Sequence, residues 1–308
     1  MGLRVRTNVQ SLIAQRHMEV SGEEMNKTTE RLASGYRITK GADDAAGFAI
    51  SEVLRADIRG LNQARRNAND GVSLVEVAEG GLNEINNIMI RLRELSVQAA
   101  SDTIGQRERG YLNQEFFSLK DEIDRIASGT EFNGTRLLVG NHAIGEEMQR
   151  NSNPSPLEVQ VGKDYYKIAD SLEAHNPVNV IRIDMSKLNA FTDGEGSLGL
   201  GNTQNEEGSR IDTKVGAQTT IGTLAAAMEQ VASYRASLGA IQNRLEKTDK
   251  AIAVQTESLT AAKSRIKDAD FAAETAALTQ SKILQQAGAA VLAQANQQPE
   301  IALKLLQG

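Results

Sequence analysis

Hydrophobic positions recur along most of this chain with the spacing of helix faces. Between residues 54 and 99 one series steps by seven: Leu54, Leu61, Ala68, Val75, Leu82 and Met89. A second series follows three positions on, through Ala64, Gly71, Ala78, Ile85, Leu92 and Ala99. Together they form an a/d seam of the coiled-coil kind, about six heptads long. Residues 102–106, with Gly105, predict a turn. The helix after it carries Leu112, Phe116, Leu119, Ile123 and Ile126. It is expected to stop near Ser128-Gly129, with Gly129 as a left-handed cap.

The strongest period lies towards the other end. Leu224, Val231, Leu238, Leu245, Ile252, Leu259 and Ile266 recur every seven residues without a miss. Their companions, Ala227, Tyr234, Ile241, Thr248, Gln255, Ala262 and Ala269, are small or polar for the most part. A strip apolar on one edge and small or polar on the other suits unlike partner helices. A helix over 224–266 spans about 65 Å at 1.5 Å per residue, the dimension of a rod.

The chain ends read differently. Residues 9–33 predict a weakly amphipathic helix, with Val9, Leu12, Ile13, Met18, Met25 and Leu32 as its apolar positions. Gly35 is its expected stop, and Gly41-Ala42-Asp43-Asp44 caps the next helix. Residues 280–298 are mostly Ala, Gln, Leu and Gly. Such a helix has too little bulk to bury itself alone, so a partner is implied. Residues 140–212 are another kind of sequence. They hold three of the four prolines and a Gly-rich run over 194–201. Leu157, Val159 and Val161 alternate with polar residues, as do Ile181, Ile183 and Met185, which predicts short strands or a hairpin. The tract 193–209 is expected to be a mobile loop. The fold class is therefore mainly α: a long coiled-coil-like helical rod built from both chain ends, with a small β-hairpin and loop insertion. The two seams can complete one another, which puts both chain ends at one end of the rod.

Composition narrows the function. The chain has 308 residues, no cysteine, no tryptophan and 4% aromatics. That excludes a disulfide scaffold, thiolate catalysis and Cys-ligated metals. The formal charge of −6 has a location. Residues 140–212 hold twelve acidic and six basic residues, while the flanks are balanced at 28 of each. No basic excess supports nucleic-acid binding. No apolar run reaches the roughly 18 residues of a membrane span, and the N-terminal segment does not read as a secretory leader.

Catalytic patterns are also missing. His17, His142 and His175 share no metal-ligand spacing, and neither phosphate-binding nor nucleophile-elbow motifs occur. The carboxylate pairs Glu23-Glu24 and Asp43-Asp44 point to different helix faces and read as caps or solvated groups. Asn133-Gly134-Thr135 reads as a turn.

Several long runs resemble bacterial flagellins. Gly41-Ala42-Asp43-Asp44-Ala45-Ala46-Gly47 is similar to the segment that follows the first flagellin helix. Ala64-Arg65-Arg66-Asn67-Ala68-Asn69-Asp70-Gly71 and Arg91-Leu92-Arg93-Glu94-Leu95-Ser96-Val97-Gln98 match further family motifs. Leu238-Gly239-Ala240-Ile241-Gln242-Asn243-Arg244, Ser264-Arg265-Ile266-Lys267-Asp268-Ala269-Asp270-Phe271 and Val291-Leu292-Ala293-Gln294-Ala295-Asn296-Gln297 do so at the other end. The resemblance covers roughly 1–138 and 222–308.

The resemblance implies a structural subunit, not an enzyme, with no cofactor. It would be exported by the flagellar type III apparatus with an export chaperone, and would polymerise with copies of itself outside the cell for motility. It implies a core domain from 1–40 and 266–308, a rod domain from 41–139 and 213–265, and a variable insertion over 140–212. Leu12, Ile13, Ile283, Leu284, Val291, Leu292, Leu305 and Leu306 would pack in the filament core. Leu61, Val75, Leu82, Leu92, Leu238, Leu245, Ile252, Leu259 and Ile266 would form the rod seam. The filament cap and hook-associated proteins are implied partners. By the same resemblance, Arg91, Leu95 and Glu115 match positions recognised by a Toll-like innate receptor of a host. The alternative within assembly proteins is a hook–filament junction protein.

Overall fold

The computed structural model describes residues 8–140, 156–164, 178–194, 196–201 and 208–307, with side chains described to residue 297. His142, His175, Pro154 and Pro177 lie outside them. The fold is mainly α, as expected, with small antiparallel pairs between the helical flanks. Helix α1 is Val9–Ser34, α2 is Ala45–Ala99 and α3 is Gln106–Gly129. Strands β1 (Glu131–Phe132) and β2 (Thr135–Arg136) form one hairpin. Strands β3 (Leu157–Gln160) and β4 (Val180–Ile183) form another pair, with Leu157 opposite Ile183 and Val159 opposite Ile181. Helix α4 is Lys214–Lys267 and α5 is Phe271–Gln307.

The chain divides into two compact units. One comprises the chain ends, up to residue 58 and from 257; the other is residues 59–256. In the second unit the heptad pattern is a buried core. Leu61, Ala64, Ala68, Val75, Ala78, Leu82, Ile85, Met89, Leu92 and Ala99 are buried on α2. Leu224, Val231, Leu238, Leu245 and Ile252 are buried on α4. Each bulky aliphatic side chain so placed contributes about 1.5–3 kcal/mol. The seam residues of the other unit, Leu54, Leu259 and Ile266, are only half-buried.

Local chemistry sets the helix ends. The Asp44 carboxylate accepts the Gly47 N–H at 2.9 Å and starts α2. Gly35 takes φ 72° and its N–H reaches the Arg31 carbonyl at 2.8 Å, ending α1 as expected. Gly129 does not act as the left-handed cap. It is the last residue of α3, and the extended Thr130 closes the helix by giving its N–H and hydroxyl to the Ile126 carbonyl. The Asn-Gly pair does make a turn. Asn133 and Gly134 have φ of 51° and 78°, as a two-residue hairpin between right-twisted strands requires.

The face of α3 also differs from expectation. Its deepest line is Asn113, Phe116, Lys120, Ile123 and Ala127. Leu112, Leu119 and Ile126 are only half-buried. The reason lies in residues 191–211, which cover this face and bring polar backbone with them. The Asn113 side-chain carbonyl accepts the Ile211 N–H at 3.0 Å. Lys120 Nζ donates to the Leu200 carbonyl at 2.9 Å. The Asp124 carboxylate accepts the Thr192 N–H and hydroxyl, both at 2.8 Å. Leu198 and Leu200 are buried, so the described part of 193–209 is an irregular but packed segment, not the mobile loop its Gly-rich sequence suggested. The β3–β4 pair packs close to the α2–α4 seam: a Cβ on Gly71 would lie 3.3 Å from both Leu245 and Val159.

Lys120 gives this attachment a pH signature. Burial pushes its ammonium down to about 8, against a smaller opposing pull from Asp124, Asp121 and Asp193. Between about pH 8 and its ordinary value of 10.5, the unfolded chain holds the proton that the folded chain has released. Stability from this group therefore rises with pH across that window. Urea unfolding of the monomer and of Lys120→Met should show the difference in midpoint growing in favour of the parent from pH 8 to 10.5. A difference that does not change with pH would contradict the assignment.

Candidate functional site

The site to examine is the pair formed by α1 and α5, because its two faces are inverted relative to an ordinary helix pair. Both helices are anchored where the chain turns. Asn8 Oδ1 accepts the Ser11 N–H at 3.2 Å and starts α1. Asp270 accepts the Ala272 and Ala273 N–H groups at 2.9 and 3.3 Å and starts α5. The break after α1 and the break before α5 are laced together. The Arg37 N–H donates to the Lys267 carbonyl at 2.7 Å, and the Ala269 N–H donates to the Gly35 carbonyl at 3.0 Å. Lys267 Nζ reaches Glu52 at 3.2 Å and lies over the rings of Tyr36 and Phe48 at 5.2 and 5.5 Å.

From there the helices run against one another through small and polar residues. On α1 the covered positions are Ser11, Ala14, Met18, Ser21, Met25 and Thr28, at alternating steps of three and four. On α5 they are Glu274, Leu278, Ser281, Gln285, Gly288, Leu292 and Ala295, again at heptad steps. A Cβ on Gly288 would lie 3.9 Å from Met18 Cβ. Arg31 pairs with Glu274 at 3.3 Å.

One contact compensates for a proline. Pro299 lies inside α5, so the prolines do not all mark the insertion, and the helix does not end before it. Proline has no N–H to give to the carbonyl four residues back. That carbonyl belongs to Ala295, and it accepts instead from Asn8 Nδ2 at 2.8 Å. Asn8 thus caps α1 with one end of its amide and binds α5 with the other.

The large apolar side chains are on the outside. Leu12 is 57% exposed, Ile13 44%, Ile283 60%, Leu284 50% and Val291 58%. Val9, Val20 and Phe271 join them. Leu292 differs, being half-buried in the seam. Leu305 and Leu306 lie beyond the described side chains. Sequence reasoning found most of the exposed set but missed the seam of Ser11, Ala14, Ser281, Gly288 and Ala295. Its signal was the heptad spacing of small residues, hidden because those residues carry little hydropathy. An apolar surface this contiguous on the outside marks an interaction face.

The residues matched to innate recognition are split by the structure. Arg91 and Glu115 are exposed and join α2 to α3, with Arg91 Nη2 2.8 Å and Nε 3.0 Å from Glu115 Oε1. Arg91 also pairs with Glu94 at 3.1 Å. These contacts hold the guanidinium above its ordinary range, Glu115 contributing most. Leu95 is 0% exposed and packs in the core beneath them. Among the described residues, no three His, Cys, Asp or Glu side chains converge to hold a metal ion, and no helix is long and apolar enough to cross a membrane.

Comparison with known proteins places these faces. Residues 5–143 match the bacterial flagellin N-terminal helical region, and residues 221–306 match the bacterial flagellin C-terminal helical region. A flagellin of Halalkalibacterium halodurans is 37% identical over 303 residues, covering 98% of this chain and 99% of that one. This chain belongs to the bacterial flagellin family. The flagellar filament 33 kDa core protein of Treponema phagedenis is 38% identical with the same coverage. Polar flagellin A of Vibrio parahaemolyticus is 34% identical, covering 99% of this chain and 100% of that one. A flagellar hook-associated protein from Vibrio parahaemolyticus shares the fold, at a TM-score of 0.55, 13% identity, and coverage of 73% of this chain and 100% of that one. The role of filament subunit therefore stands, and the hook–filament junction alternative has less support.

In a flagellin, the exposed faces of α1 and α5 are surfaces for neighbouring subunits. Leu284→Glu should leave the melting of the monomer within about 0.5 kcal/mol of the parent, as for other surface changes. The same variant should fail to elongate filament seeds, measured by light scattering. Normal elongation would show that this face stays in water.

Proposed function

We propose that this flagellin works by completing, between subunits, a hydrophobic core that a single chain leaves open. The observation that carries this reading is the inverted α1–α5 pair, small residues between the helices and Leu12, Ile13, Ile283, Leu284 and Val291 outside. Ordering a helix costs about 1–2 kcal/mol per residue in backbone entropy. A seam of Ser, Ala and Gly returns little of it. Neighbouring copies supply the remainder by covering the exposed aliphatic side chains, and the contacts are head-to-tail, so the assembly does not close.

On this reading residues 1–40 and 266–308 line the filament core, 41–139 and 213–265 form the surrounding shell, and the acidic 140–212 insertion faces outward. The chain is delivered by the type III export apparatus with its chaperone. Cap and hook-associated proteins meet it at the filament ends. No catalytic step is part of this function.

The test is truncation. Chains lacking residues 1–30 or 278–308 should remain soluble and monomeric in sedimentation while the parent forms seeded filaments. Filament growth by either truncated chain would refute the reading. A second surface is proposed on the evidence of its exposed ion pair: Arg91 and Glu115 are the points a Toll-like receptor of a host would contact, with buried Leu95 supporting them from below. Arg91→Glu should lower receptor signalling at least tenfold in reporter cells. Undiminished signalling would contradict that proposal.

A further inference from the structure

A groove of about 700 Å³ runs between α1 and α5, lined by Val9, Gln10, Ile13, Ala14, His17, Met18 and Ser21 from α1 and by Leu284, Ala287, Gly288 and Val291 from α5. Among these residues His17 alone can change charge. Its neighbours three and four positions away on α1 are Ile13, Ala14, Val20 and Ser21, none a carboxylate. The charged residues closest in sequence, Arg16 and Glu19, are exposed on other faces of the helix. The α5 residues that line the groove are all uncharged.

We propose that His17 makes subunit addition proton-sensitive: a second copy of this chain covers the groove only when the imidazole is neutral. The inference rests on the filament reading and adds a regulation to it. In the free chain His17 is exposed and can carry a proton at no desolvation cost. When a neighbouring subunit closes over Ile13, Leu284 and Val291, the imidazole leaves water for an apolar groove that offers no carboxylate. The charged form loses hydration there and gains no partner. Assembly therefore favours the neutral form and expels the proton.

The sign follows from linkage. The assembled state holds fewer protons on His17 than the free chain does, so the equilibrium favours filament at higher pH. It weakens as pH falls through the titration of a free histidine, about 6.5. Each unit below that raises the critical concentration by up to about tenfold, one proton being released per subunit. Neutral imidazole also leaves the groove's packing intact at pH 7.5, where assembly proceeds at full strength.

The experiment is seeded polymerisation of the full-length chain from pH 5.5 to 7.5, with the critical concentration read from the monomer left after sedimentation. The parent should show the steep rise below pH 6.5. His17→Asn, which keeps a polar side chain without the charge, should be nearly flat over the same range. His17→Arg should raise the critical concentration at least tenfold at every pH. A pH profile shared by the parent and His17→Asn would overturn the proposal, as would His17→Arg polymerising like the parent. Failure of the parent to elongate seeds at pH 7.5 would instead overturn the filament reading beneath it.

Discussion

Everything in this chain depends on which helix seams are filled with bulky residues. In the unit of residues 59–256, Leu, Ile, Val and Met occupy the seam and are buried within one chain. In the unit built from the chain ends, Ser, Ala and Gly occupy it, and the bulky residues lie outside. The same heptad geometry thus serves two purposes. Large residues in the seam give a core that stands alone. Small residues bring two helices close and leave an apolar exterior whose burial needs another molecule. A filament requires both, because a subunit must keep its identity in solution yet bind its neighbours in only one way.

The heptads of α2 and α4 were legible from sequence, since seven-residue spacing of bulky aliphatics has few other readings. Where those seams stop being buried was not legible. Leu54, Leu259 and Ile266 continue the pattern without a break, yet are half-exposed because the packing around them changes, which periodicity does not record. The face of α3 was misplaced by one position for a related reason. Lys120 and Asn113 occupy core positions only because the backbone of residues 191–211 offers them a carbonyl and an amide. A hydropathy pattern assigns such residues to solvent. Glycine and charge in the same segment suggested mobility, whereas Leu198 and Leu200 pin it down.

Polar groups at the chain ends do a separate job, that of fixing register. Asn8, Arg31 and Asp270 set where α1 and α5 start and how they align, and the paired backbone at 35–37 and 267–269 fixes the turn between them. Asn8 fills the hydrogen-bond vacancy left by Pro299, coupling the first described residue of the chain to nearly the last turn of α5. None of these contacts contributes much energy singly. Together they decide which apolar side chains face outward, and so which surface a neighbour meets.

Hydrogen exchange on monomer and filament tests the central claim most directly. If the outward apolar faces of α1 and α5 are stabilised by neighbours, amides in 9–34 and 271–297 should exchange quickly in the monomer and become strongly protected in the filament. Amides in 61–99 and 224–252, whose seam is closed within one chain, should be protected in both. Equal protection of the terminal helices in monomer and filament would contradict the account.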